Sequence, residues 1–520
     1  MTVLDGAIPA QPRGTAAADL EGQLAGTASG RAHLERLLGG TLRGLAAGAI
    51  GRGGPLPVGG APAVAATAAG ALGAALPEDG TGDVDALASL VPLLASGSAD
   101  PADPACAGHL HCPPLAVAVA ADAAVSVLNP SLDSWDQAPM ASAVEEHVIA
   151  GLARLVGYDP RRARGVFTTG GTGSNLMGLL FARTRAGQAA GHQLSLTGLP
   201  ALGDTGWRPV VFCSEIAHFS IQRGAALLGL GEDCVVGVAV DDESRMIPAA
   251  LAAAIDDEVR EGRVPIAVVA TAGSTDLGSI DPLPAVVDVV RQASRTAGPE
   301  RPPLWLHVDA AYGGGALFSD RLAGLLDGVA EADSVSLDLH KYGWQPAAAG
   351  VFLTRERSAW QALDREVAYL NAADDTEAGF PDLLGRSLRT TRRPDAFKVA
   401  VTLRALGRRG LGELVDRCHA LAGHAADLVR AHPRLELAAE PTLSTVVFRY
   451  LPDDPTVANT VNADIRRRLL NDGTAVVGRA DLGPEQVVHL KLTLLNPAAK
   501  PADVAALLGL VVAAGEAEEV

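Results

Sequence analysis

Between residue 165 and about residue 355, short apolar runs alternate with longer segments, and this alternation constrains the fold more than any other feature of the chain. The runs cover residues 165–168, 209–213, 234–240, 266–270, 304–308, 334–337 and 350–353. They are continuously apolar rather than alternating, as strands covered on both faces are. Strands separated by helix-length connections predict an α/β fold with a mostly parallel central sheet and helices on both faces. Upstream, Leu34, Leu37, Leu38, Leu42 and Leu45 mark a helix over residues 31–47. A further helix places Val144, Val148, Ile149, Leu152 and Leu155 on one face, with Glu145 and Glu146 off it. Downstream, a helix over residues 395–407 and strands at 445–449 and 489–493 predict a small C-terminal α+β domain. The expected division is a poorly ordered start (1–30), an N-terminal helical segment (31–135), a large α/β domain (136–394) and the C-terminal domain (395–520).

Bulk properties exclude several classes. A net charge of -18 argues against nucleic-acid and anionic-membrane partners. The apolar stretch from Leu56 to Leu76 is mostly Ala and Gly and is broken by Pro57 and Pro62, so it reads as helix and loop and not as a membrane span. The first residues show no basic stretch followed by an apolar one, so no signal peptide is expected. Five scattered cysteines without zinc-ligand spacing predict neither a disulfide framework nor a metal site, and a reducing cytoplasm.

Five segments that carry chemistry fall at the C-terminal ends of predicted strands, where open α/β sheets bind ligands. Thr168-Thr169-Gly170-Gly171-Thr172-Gly173-Ser174-Asn175 joins a strand to a helix. Its glycines let backbone approach an anion, and the Thr172 and Ser174 hydroxyls offer donors; alternatively it is simply a turn. His218 follows the second strand, either lying over a flat ring or held as a half-buried, satisfied imidazole. Thr271 lies in a turn that reads equally as a helix cap. His307-Val308-Asp309-Ala310-Ala311-Tyr312 precedes Asp338-Leu339-His340-Lys341-Tyr342. A lysine at a strand end with an aspartate one βαβ unit earlier suits pyridoxal phosphate: Lys341 can form a Schiff base, and Asp309 can hold the pyridine nitrogen protonated. The His307/Asp309 pair as metal ligands is the alternative, but no further ligand stands at suitable spacing.

With these motifs in place, the chain resembles the group II pyridoxal-phosphate-dependent amino acid decarboxylases from about residue 77 to residue 511. The resemblance rests on Asn129-Pro-Ser-Leu-Asp-Ser-Trp-Asp-Gln-Ala-Pro139, Thr169-Gly-Gly-Thr-Gly-Ser-Asn175, His307-Val-Asp-Ala-Ala-Tyr312 and Asp338-Leu-His-Lys341. Gly108-His-Leu-His-Cys-Pro113, Ser387-Leu-Arg-Thr-Thr-Arg-Arg393 and Leu490-Lys-Leu-Thr-Leu-Leu-Asn-Pro497 resemble the bacterial branch acting on lysine and 2,4-diaminobutyrate. The resemblance implies the fold-type I transferase-like architecture. It also implies a homodimer with active sites at the subunit interface and an N-terminal segment that clasps the partner. Lys341 would carry the cofactor and Asp309 would pair with its ring nitrogen. His218 would stack on the ring between Thr271 and Ala311. Gly171 and Thr172 would bind the phosphate, with His340 close to Lys341.

The expected reaction is decarboxylation of an L-amino acid to its amine. Trp135 and Asp136 fall in the segment that lines the substrate side in the family, and His111 either reaches the pocket edge or is structural. Asp133 or Asp136 can pair with a distal ammonium, which favours a diamino acid over an aromatic one. Both carboxylates equally fit a role as solvated groups or helix caps. Residues 371–391 lack the mobile-loop tyrosine that protonates the product carbon in aromatic-amino-acid relatives; Phe380 is their only aromatic. His218 or another group must then give the proton, or oxygen intervenes and an aldehyde results. Asp338 is a second departure, since many relatives carry Asn-Pro before the His-Lys pair. Other fold-type I chemistries (carbon–carbon lyase, desulfurase, aminotransferase) and a non-catalytic scaffold are the rivals.

Overall fold

The structure is a computed structural model that describes residues 20–200, 207–296, 303–363, 370, 373–381 and 383–519. The expectation of a poorly ordered start therefore lies outside the described residues over 1–19, as residues 371, 372 and 382 of the 371–391 segment do. Two compact units emerge, residues 1–99 and 100–520. The first is helical, with helices Ala28–Arg52, Gly60–Leu72 and Asp83–Ser96. Thr27 caps the first of them by accepting the Gly30 N–H at 2.9 Å. Among the described residues, no helix is long and apolar enough to cross a membrane.

The second unit carries the predicted α/β architecture. Seven strands, β1 (Arg164–Thr168), β2 (Pro209–Ser214), β3 (Val235–Val238), β4 (Val264–Thr271), β5 (Trp305–Ala310), β6 (Ser334–Asp338) and β7 (Gly350–Thr354), form one sheet. Their order is β1-β7-β6-β5-β4-β2-β3. β7 runs antiparallel to both neighbours, and the β6, β5, β4, β2 and β3 pairs are parallel. The two-residue side-chain period sorts each strand between two cores. Val210, Phe212, Val268 and Val308 pack with one set of helices, while Val211, Cys213, Val269 and Trp305 pack on the opposite face.

A second sheet closes the unit: β8 (Leu435–Leu437), β9 (Thr445–Tyr450), β10 (Gly478–Leu482) and β11 (Val487–Thr493), antiparallel in the order β10-β11-β9-β8. Helices Ala396–Ala431, Ala458–Asn471 and Pro501–Glu518 supply Ala422, Ile465 and Val511 to its core. The helix predicted to end at residue 407 instead breaks there. Gly407 takes φ 66° and ψ 175°, and helix resumes to Ala431. A glycine that leaves helical geometry reads in sequence as a stop, but the apolar spacing of Leu411, Val415 and Cys418 continues beyond it.

Glu145 also departs from expectation. Although off the apolar face of helix Pro139–Val156, it is buried and paired with buried Arg392, whose Nη1 donates to both carboxylate oxygens at 2.8 and 3.1 Å. The pair ties this helix to the chain that precedes Ala396–Ala431, and the Arg392 carbonyl accepts the Leu132 N–H at 3.0 Å. Removing one member strands a buried charge, so Arg392→Ala should lose about 3 kcal/mol of unfolding free energy. A joint Glu145→Leu, Arg392→Leu variant should regain most of it; denaturant unfolding of the three proteins measures the difference.

Candidate active site

Register builds the site. In the parallel pairing Thr271 of β4 stands opposite Asp309 of β5, and Asp309 opposite Ser336 of β6. Three polar residues thus form a row across the C-terminal ends of adjacent strands. Asp309 is buried, so its carboxylate must find donors inside the protein. Asn175 Nδ2 donates to Oδ2 at 2.7 Å, while Ser336 Oγ and the Ala311 N–H donate to Oδ1 at 3.0 and 3.1 Å. Burial alone would push this carboxyl up. The Asn175 hydrogen bond, the Lys341 charge and the Ala311 amide outweigh it and hold the group below the usual carboxylate range.

Asn175 is the hub of a longer network. Its second Nδ2 hydrogen reaches Ser220 Oγ at 2.9 Å, and its Oδ1 lies 2.9 Å from His307 Nε2. An ionised Asp309 only accepts, which fixes the Asn175 amide: Oδ1 accepts from His307 Nε2–H, leaving His307 Nδ1 to accept from Ser334 Oγ at 2.8 Å. Ser334 in turn accepts from Trp305 Nε1 at 2.9 Å. Burial lowers the His307 pKa to about 4, so this imidazole stays neutral. The ring needs a glycine beside it: a Cβ on Gly178 would stand 2.9 Å from His307 Cγ. On the other branch, His218 Nδ1 faces Ser220 Oγ at 2.8 Å and the Ser220 N–H at 3.3 Å. Two donors aimed at Nδ1 put the hydrogen of a neutral His218 on Nε2. Burial lowers the His218 pKa, with the Asp309 charge opposing and the Lys341 charge assisting.

Lys341 follows β6, and its Nζ lies 3.2 Å from Asp338 Oδ2. The same oxygen accepts the Gly171 N–H at 3.1 Å, and His340 Nε2 stands 3.6 Å away. His340 Nδ1 accepts the Ala349 N–H at 3.1 Å, and burial lowers this imidazole's pKa as well.

These groups surround one cavity of about 280 Å³. All eight residues expected to hold a cofactor line it: Gly171, Thr172, His218, Thr271, Asp309, Ala311, His340 and Lys341. The three expected substrate residues do not. His111 is exposed, Trp135 has its ring 5.0 Å from Phe380, and exposed Asp136 accepts from Ser134 Oγ at 2.6 Å. Sequence reasoning assigned no role to Asn175, Ser220 and Ser336, which orient Asp309 and His218. A polar residue inside an apolar helix face was the only signal for Asn175. Among the described residues, no group of three or more His, Cys, Asp or Glu is placed to hold a metal ion.

Comparison with known proteins agrees with this geometry. The model of the pyridoxal-dependent decarboxylase conserved domain matches residues 87–451. The chain belongs to the pyridoxal-dependent decarboxylase family. It is 42% identical to an L-2,4-diaminobutyrate decarboxylase of Rhizobium meliloti over 82% of this chain and 81% of that one. Against the Acinetobacter baumannii enzyme of the same name it is 35% identical over 84% and 85%. A solved structure from Vibrio parahaemolyticus is described as the glutamate decarboxylase domain of diaminobutyrate-pyruvate transaminase and L-2,4-diaminobutyrate decarboxylase. It superposes with a TM-score of 0.82 at 31% identity, covering 94% of this chain and 96% of that one.

This decarboxylase is a carboxy-lyase that depends on pyridoxal phosphate, and the residues present fit that group. A fully buried carboxylate held ionised suits a protonated ring nitrogen, and the Lys341 amine shares its cavity. The Gly171 turn leaves room for an anion where a Cβ would stand 2.8 Å from that of Ala311.

A hydrogen bond to a charged group is worth about 1.5–3 kcal/mol. Asn175→Ala should therefore weaken pyridoxal phosphate binding about tenfold or more. Ser334→Ala, at the far end of the network, should lower the melting temperature without changing that affinity. Equal affinities in the two variants would reduce Asn175 to a structural part.

Proposed function

We propose that this decarboxylase converts a small diamino acid to the corresponding diamine and carbon dioxide, L-2,4-diaminobutyrate being the first substrate to test. The observation that carries this reading is the match to two relatives of that name over more than four-fifths of both chains.

The roles follow from the placement of the side chains. Lys341 carries the cofactor covalently, and Asp309 holds its ring nitrogen protonated. Gly171 and Thr172, at the start of helix Gly171–Ala189, bind the phosphate. His218 covers the ring and Thr271 and Ala311 flank it, with His340 beside Lys341. Bound there, pyridoxal phosphate supplies a ring that accepts the electrons of the breaking Cα–carboxylate bond. Asp309 makes that acceptance favourable because its negative charge is preorganised and needs no solvent reorganisation. A proton replaces the carbon dioxide that leaves.

A homodimer with active sites at the interface completes the reading. Large apolar side chains stand exposed across the first unit, including Leu42, Ile50, Leu72 and Leu94, and a partner subunit would cover such a surface. At such an interface the segment around Asp133 serves the substrate end of a site. Asp133 is buried, accepts from Gln137 Nε2 at 2.9 Å, and has no basic partner among the described residues. A buried carboxylate of this kind suits a distal ammonium better than exposed Asp136 does. The cytoplasm is the expected compartment: Cys112, Cys213, Cys234 and Cys418 are buried thiols outside any disulfide.

Carbon dioxide release from the cofactor-loaded protein tests the reaction, with 2,4-diaminobutyrate, lysine, ornithine, glutamate, phenylalanine and tyrosine offered and Lys341→Ala as blank. Release from a diamino acid is expected; release from an aromatic or acidic amino acid alone would discard the substrate assignment. Hydrogen peroxide in stoichiometric yield would instead assign the oxidative route to an aldehyde. Asp309→Ala should keep the fold and lose nearly all turnover. Asp133→Asn should lower kcat/KM for the diamino acid by about tenfold or more, with Asp136→Asn within about twofold of wild type. The reverse ranking would return the role to Asp136.

A further inference from the structure

Asp338 holds the turn that the proposed function assigns to the cofactor phosphate. Its side chain is 3% exposed, Oδ2 accepts the N–H of Gly171, the first residue of helix Gly171–Ala189, and Oδ1 is buried without a hydrogen-bond partner. A carboxylate thus occupies the anion position that a helix N-terminus offers. Lys341 Nζ, at 3.2 Å, is the cation nearest to it. His340 Nε2 at 3.6 Å faces the same oxygen, and His218 and Asp309 line the same cavity.

We propose that Asp338 is an internal competitor for the cofactor phosphate: it holds the Gly171 amide and the Lys341 ammonium together before loading, and it must surrender that amide when the phosphate arrives. The proposal rests on the reading that Gly171 and Thr172 bind the phosphate. Two anions cannot share one amide and one ammonium without repulsion, so the Asp338 charge weakens the hold on the phosphate.

The test compares wild type with Asp338→Asn and Asp338→Ser, each purified without cofactor and checked for folding by thermal melting. The probe is 4′-deoxypyridoxine 5′-phosphate, which lacks the aldehyde and cannot react with Lys341, so its affinity reports the phosphate site without the covalent step. Removing the charge should tighten binding by about tenfold or more at a pH near 8. Equal or weaker binding in a folded variant overturns the proposal. Pyridoxal phosphate itself, fixed by borohydride, separates this failure from that of the underlying reading. If wild type retains no fixed cofactor, the cofactor site has been misassigned. If wild type is labelled at Lys341 and neither variant binds the analogue more tightly, only the role of Asp338 falls.

Discussion

A fully buried negative charge at Asp309 is the constraint on which the rest of the structure turns. Left alone, a carboxylate at that depth would take up a proton and lose its charge. It stays ionised because three donors reach it from three elements: the Asn175 amide from a helix, the Ser336 hydroxyl from the neighbouring strand and the Ala311 amide from the end of its own strand. Each donor is placed by a larger feature. Ser336 stands opposite Asp309 only in the observed register of β5 and β6, and a slip of one residue would turn it to the other face. Asn175 arrives only because its helix starts at Gly171, directly after the turn that leaves β1.

That turn is itself fixed by packing from below. β7 returns antiparallel between β1 and β6, and Gly350 at its start approaches the Gly170 backbone so closely that a Cβ there would lie 2.5 Å from Gly170 Cα. The single reversed strand therefore brings the Gly170-Gly171 turn and the Lys341 segment side by side, although they are far apart in sequence. The short distance from Gly171 N to Asp338 Oδ2 is the product of this arrangement. Fold and chemistry meet here, because the same strand order that buries both faces of the sheet also delivers glycine backbone, lysine and aspartate to one cavity.

Much of this was legible in the chain. The seven strands of the large sheet announce themselves because strands covered on both faces must be apolar throughout, and Gly, Pro and polar residues bound them clearly. Lys341, Asp309 and His218 stand out because ionisable residues at strand ends are uncommon in such a pattern. The supporting residues were not legible for an equally physical reason. Ser336 and Ser220 are small and ordinary, and their importance depends on register and on the hydrogen each one passes on. Glu145 sat off an apolar face, yet Arg392 from a distant segment makes its burial tolerable. The substrate end stayed least readable: Trp135 and Asp136 point to partners in their own neighbourhood, so their types alone carried no geometry.

The network also divides labour within the cavity. His218 receives two donors at Nδ1, so the hydrogen it presents on Nε2 belongs to a neutral imidazole. Such a group donates a hydrogen bond well, but at neutral pH it gives up that hydrogen far less readily than an imidazolium does. To become an imidazolium it would have to place a second hydrogen against Ser220, whose oxygen already accepts from Asn175 and whose backbone N–H also points at the ring. His340 is held in a similar way, with Nδ1 engaged by the Ala349 amide. The remaining charged donor among the described cavity side chains is Lys341, with Asp338 at its side. Asn175, which touches both Asp309 and Ser220, thereby links the carboxylate to the group that orients the His218 imidazole.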